Sequence, residues 1–140
     1  MPRKFNLKLK KFTLLVLLLN GFSAVYGGLS LILDPTGSSL GMSTELLQVG
    51  PFKDFLIPGL FLFNVIGQFS LLIAIMLIFN ARYSAHLVTL EGSILLGWLL
   101  IQIIMIQTFS MMQLIMGIIG MLLVVLGLLL IKPSLPVINY

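Results

Sequence analysis

The chain has 140 residues, 59% of them hydrophobic and only 9% charged, and a mean hydropathy of +1.18. That is too little polar surface to cover a water-soluble globule, so lipid is its natural solvent. The net charge of +4 does not point to nucleic acid, because the basic residues bunch at one terminus without interleaved aromatics, while zero cysteines and a lone histidine, His86, argue against thiol chemistry and a zinc site.

A hydrocarbon core about 30 Å thick needs ~20 apolar residues in helical conformation. Four windows meet that length, at residues 12–33, 55–79, 86–109 and 111–131. They predict an all-α membrane protein, a four-transmembrane-helix bundle forming one domain over residues 1–140. Ahead of the first window stand Arg3, Lys4, Lys8, Lys10 and Lys11. A basic tail of this kind sets topology and touches anionic lipid headgroups. The same pattern opens a secretory signal peptide, with Gly21 and Ser23 as small residues for processing, but the apolar run continues through Leu29, Leu31, Ile32 and Leu33, long enough to span. Within this span Asn20, Ser23, Ala24 and Gly27 share a stripe, and Asn20, Ala24 and Gly28 follow at four-residue spacing.

The loop that follows begins with Asp34-Pro35-Thr36-Gly37, which has turn chemistry. Beyond it, Ser43 or Thr44 followed by Glu45, Leu46, Leu47 and Val49, with Gly50-Pro51 as a stop, predicts a short amphipathic helix at the membrane interface. Asp34, Glu45 and Asp54 lack the spacing of a calcium loop. Asp54 is placed to cap the second span, and Pro58 predicts either its first turn or a kink near Ile57-Pro58-Gly59. Arg82 lies in the short turn before span three. Ser110 leaves only a tight turn before span four, and Pro133 and Pro136 stop the last helix. Seven of the eight basic residues fall on one side, with Lys53 alone on the other. Both termini are therefore expected in the cytoplasm and the long loop outside.

Polar residues inside spans are costly and usually face the bundle interior. Asn64 and Gln68 lie four apart on one face of span two. In span three Glu91 is the only acidic residue in a span, and Trp98 and Gln102, seven and eleven positions on, return to within about 20° of it on the helix surface. With Asn20 from span one, these residues predict a narrow polar seam between the helices. The seam has a functional reading, binding of a polar or cationic group or proton exchange at Glu91, and a structural one, in which the amides hydrogen-bond across helices and Glu91 pairs with Arg82 or reaches the interface. Gly117, Gly120 and Gly127 in span four let backbones approach, within one bundle or between copies. No nucleophile and base set, phosphate-cradling loop or paired intramembrane carboxylates is present, so no cofactor and no catalysis are expected.

The loop Asp34-Pro35-Thr36-Gly37-Ser38-Ser39-Leu40-Gly41-Met42 with Pro51-Phe52-Lys53-Asp54-Phe55-Leu56-Ile57-Pro58-Gly59-Leu60 resembles that of small four-span bacterial membrane proteins of unknown function. In size and helix plan the chain is similar to DoxX-like membrane proteins, without their functional motifs. The resemblance implies a multi-pass protein of the bacterial plasma membrane and leaves its chemistry open. Two functions are expected to compete: binding or transport of a small molecule, ion or lipid through the seam, and an accessory or scaffold role in which the protein assembles with itself or a membrane partner.

Overall fold

The computed structural model describes residues 6–38, 41, 53–106 and 111–131. Its regular elements are all helical, and four helices are long and apolar enough to cross a bilayer: α1 (Leu7–Leu33), α2 (Leu56–Ile78), α3 (Ser84–Ile106) and α4 (Met111–Ile131). The chain is thus a multi-pass membrane protein built as a four-helix bundle.

α1 starts five residues before the predicted edge. Asn6 caps it, its side-chain oxygen accepting from the backbone N–H groups of Lys8 (3.0 Å) and Leu9 (3.3 Å). Lys8, Lys10 and Lys11 are therefore helical residues rather than an extended tail. At the other end Gly37 N–H donates to Asp34 C=O (3.1 Å) with Gly37 at φ +79°, the expected turn. Phe55 N–H donates to Pro35 C=O (2.8 Å), which brings the two ends of the loop together. The short amphipathic helix expected after Ser43 lies outside the described residues, as do the turn after α3 and the prolines beyond α4.

Asp54 does serve α2, accepting from Leu56 N–H at 3.1 Å. The irregularity in this helix falls just after Pro58 and Gly59: Leu62–Gln68 is π-helical, and Phe69 N–H reaches back to Asn64 C=O. Two residues past the end of α2, Asn80 is a non-glycine residue at φ +53° in the turn. Lys10 Nζ holds that end, donating to Asn80 Oδ1 (2.8 Å) and Ile78 C=O (3.2 Å), a cation on the carbonyl end of a helix.

Each helix packs against its chain neighbours and α4 returns to α1, so the four close a ring. Close approach comes from glycines, as packing in lipid requires where apolar burial gives no advantage over the acyl chains. A β-carbon on Gly28 of α1 would lie 2.5 Å from Phe63 N and 2.8 Å from Gly59 C=O of α2. Between α3 and α4, Gly92 meets Gly120 and Gly127 sits directly on Thr89. Gly28, Gly120 and Gly127 of the expected small-residue stripes are therefore contacts within the bundle, whereas Ser23 is exposed and Gly117 only half-buried, since a stripe four residues apart drifts off the contact face. Leu15, Leu19, Phe22, Ile104, Ile118 and Leu128 face outward, where lipid is their solvent.

Candidate functional site

The bundle axis is apolar at both ends and polar in one layer. Toward the end that holds the α2–α3 turn, Val16, Leu17, Ile73, Ala74, Leu77, Ala85 and Val88 pack together with Leu123, Leu126 and Leu130 of α4. Toward the loop end the buried cluster among the described residues holds Ala24, Ile66, Leu95 and Trp98, with Phe61 stacked on the indole at 4.5 Å between ring centroids. Between these two plugs one side chain from each of three helices meets.

Asn20 of α1 donates from Nδ2 to Ser70 Oγ of α2 at 2.8 Å, and the Ser70 hydroxyl donates onward to Glu91 Oε1 of α3 at 2.7 Å. Ser70 and Glu91 have no exposed surface and Asn20 keeps 5%. Each helix delivers its residue through its own periodicity. Asn20 lies on the α1 stripe with Thr13, Leu17, Ala24 and Gly28, and Ser70 on the α2 row Ile66, Gly67, Ile73, Ala74 and Leu77. Glu91 lies on the α3 face with Ser84, Val88, Leu95 and Trp98. Glu91 is seven residues into α3, about 10 Å below its first turn.

Glu91 Oε2 is buried and accepts no hydrogen bond from any described residue. Arg82, the cation nearest in sequence, instead stacks over Tyr83, 5.3 Å from the ring centroid, so the expected pairing with Glu91 does not form. Seven residues on, about 10 Å along the same face, Trp98 Nε1 is a second buried polar atom without a described partner. A buried carboxyl oxygen without a partner is costly, and what would relieve it is a proton, a cation or a donor group brought by a ligand. No group of three or more His, Cys, Asp or Glu able to hold a metal occurs among the described residues.

The sequence-predicted residues divide. Asn20, Glu91 and Trp98 line the interior as expected, and Gln102 is half-buried further toward the loop end. Asn64 and Gln68 share one face, as their spacing requires, but that face is the exposed one. Asn64 Nδ2 bonds to Leu60 C=O of its own helix at 3.0 Å. The amide is satisfied locally, and the glycines of α2 take the inward positions because only they let α1 come so close. The seam is therefore built by three helices. Ser70, its central member, is the residue that a search for amides and acids passes over. Its signal was the small-residue row Gly67, Ser70 and Ala74, the kind of row that lies at a helix contact. Thr13, Ser84 and Gln113 are also buried; the Thr13 hydroxyl bonds Leu9 C=O of its own helix and the Ser84 hydroxyl bonds Ala81 C=O of the preceding turn, both at 2.8 Å, and so neither hydroxyl offers anything to a ligand. An open groove of about 490 Å³ between α3 and α4, lined by Leu96, Leu99, Gln113, Gly117 and Met121 among others, is separate from the polar layer.

No protein family matches this chain, and neither the curated proteins nor the solved structures contain a match.

Proposed function

We propose that this protein binds, and carries across the membrane, a small polar or cationic species at the layer formed by Asn20, Ser70 and Glu91. The observation that carries the reading is the unpartnered Glu91 Oε2, buried on the bundle axis with one hydrogen-bond donor and no described cation beside it. A carboxyl kept for structure alone would be paired on both oxygens, or replaced by an apolar residue at no loss of packing. Two further features support transport over static binding. The layer lies between two apolar plugs, and Ile66 of the loop-end plug stands on the π-helical turn of α2. π-Helical turns inside helices recur at functional sites. In a bacterial plasma membrane the bias of basic residues would set both termini inside, with the loop-end plug facing outward.

The scaffold reading draws less support. Of the glycines that would have carried a contact between copies, Gly28, Gly120 and Gly127 are buried against this chain's own helices, and Gly117 is half-buried on the groove between α3 and α4.

The test is a thermal-shift screen of the purified protein in detergent against inorganic ions, lipids and small organic cations, run in parallel on Glu91→Gln. A ligand of the folded state stabilises it by about 2.7 kcal/mol at a hundredfold excess over its Kd. The expected result is at least one species that raises the melting temperature of the wild type and not of the variant. A screen in which every stabilising species acts equally on both proteins would move the function away from Glu91.

A further inference from the structure

We infer that the species taken up by Glu91 is a single proton, so that the layer works as a proton-exchange site; this rests on the reading of Glu91 as a binding centre and narrows what it binds. Size decides first. Ser70, Glu91, Leu17, Ile66, Val88 and Leu95 all have no exposed surface, so the layer and the residues above and below it are closely packed. A proton needs no room. An organic cation would need the plugs to part widely even while bound, and the 490 Å³ groove touches none of the three polar residues.

The donor set decides next. A sodium ion wants five or six oxygens around it, by analogy with other hard cations. This layer offers one carboxyl, one hydroxyl and one amide, and the hydroxyl proton and amide N–H are already directed along the chain from Asn20 through Ser70 to Glu91 Oε1. Among the described residues Glu91 Oε2 is the one fully buried side-chain oxygen that this chain leaves without a partner, and one proton satisfies it. Exchange there forms an O–H bond on Oε2 as one O–H bond of a hydronium breaks and leaves water, and the reverse transfer returns the proton to water.

No charged side chain among the described residues competes for the role. The buried faces packed around α3 carry Thr13, Leu17, Asn20 and Ala24 on α1, Ile66, Ser70, Ile73 and Ala74 on α2, and Gln113, Leu123 and Leu126 on α4, whose Gly120 and Gly127 lie against Gly92, Leu96 and Thr89, and none of these titrates. Lys10 is bound to the end of α2, and His86 and Arg82 are exposed.

The experiment treats the full-length protein, reconstituted in vesicles, with a hydrophobic carbodiimide. This reagent adds to a protonated carboxyl in an apolar setting and rearranges to a stable acylurea. The adduct is mapped by mass spectrometry of the wild type, so its location does not depend on a variant that folds. The expected result is an adduct on Glu91 whose yield falls reversibly as the pH is raised and is unchanged by sodium or potassium at fixed pH. Infrared difference spectra should lose a carboxylic-acid band over the same pH range, and Glu91→Gln should lack it. An adduct yield and infrared band that ignore pH would overturn the proposal by making Glu91 a permanently neutral structural acid. Protection by sodium, or by an organic cation found in the thermal screen, would overturn the proton as ligand while leaving Glu91 as a binding centre. Where the packed layer keeps the reagent out, the infrared band decides: a band that titrates in the wild type and is missing from Glu91→Gln upholds the proposal, and no titrating band at any pH overturns it.

Discussion

Ser70 joins the three helices of the polar layer, because its one hydroxyl both accepts from Asn20 and donates to Glu91. Removing it leaves two buried groups without a partner, whereas removing the Asn20 amide leaves the bond from Ser70 to Glu91 intact. Ser70→Ala should therefore destabilise the fold by about 1–3 kcal/mol, and Asn20→Ala by less, about 0.6–2 kcal/mol, the range for polar contacts in membranes. Unfolding of both variants and of the double variant in mixed micelles measures this, and the double variant should fall short of the sum because the two share a hydroxyl. At this scale the sequence was partly legible. A lone acid in an apolar span has few places to go but inward, and the seven-residue step from Glu91 to Trp98 fixed the face they share. The outward turn of Asn64 and Gln68 was not legible, because an amide that bonds its own helix gives no sign of it in helical periodicity. Serine was missed because its small size fits either a contact row or a hydrogen-bond chain.

Helices in this bundle are held by shape more than by apolar burial, so the sharpest expectations at the element scale concern glycine. Gly28→Ala places a methyl 2.5 Å from Phe63 N, a backbone atom that cannot step aside, and should cost about 1–3 kcal/mol or more as α1 and α2 separate. Gly97→Ala on α3 meets nothing within 4 Å and should be neutral or stabilising by up to about 1 kcal/mol. Comparing the two unfolding midpoints separates packing from helix propensity. Lys10→Met should weaken the end of α2 by about 1 kcal/mol through the loss of its bonds to Ile78 and Asn80, read as faster amide exchange around residues 76–80. The helix limits themselves were close to what hydropathy gave, since the length of a span is set by the bilayer. The early start of α1 came from Asn6, a cap that no window of apolar residues registers. The π-helical turn was not visible either: Pro58 suggested a kink, while the extra residue is accommodated one turn later, where α1 and α2 are in contact.

At the scale of the whole molecule the bundle is a ring of two hairpins around one polar layer, and the basic residues at one end predict its direction in the membrane. The chain has no cysteine, so single cysteines report position without background. Thr36→Cys should react with an impermeant maleimide added to intact cells, and Ala81→Cys only after permeabilisation; the reverse pattern would invert the bundle. What the layer is for is tested most directly by the stability of Glu91→Gln in the absence of any ligand. Glutamine keeps an oxygen for the Ser70 hydroxyl and removes the ionisable group, so a carboxyl retained for function at a cost to the fold leaves the variant at least as stable as the wild type. The expected result is an unfolding midpoint equal to or above the wild type. A loss as large as that of Ser70→Ala would contradict it and make Glu91 part of what holds the helices together.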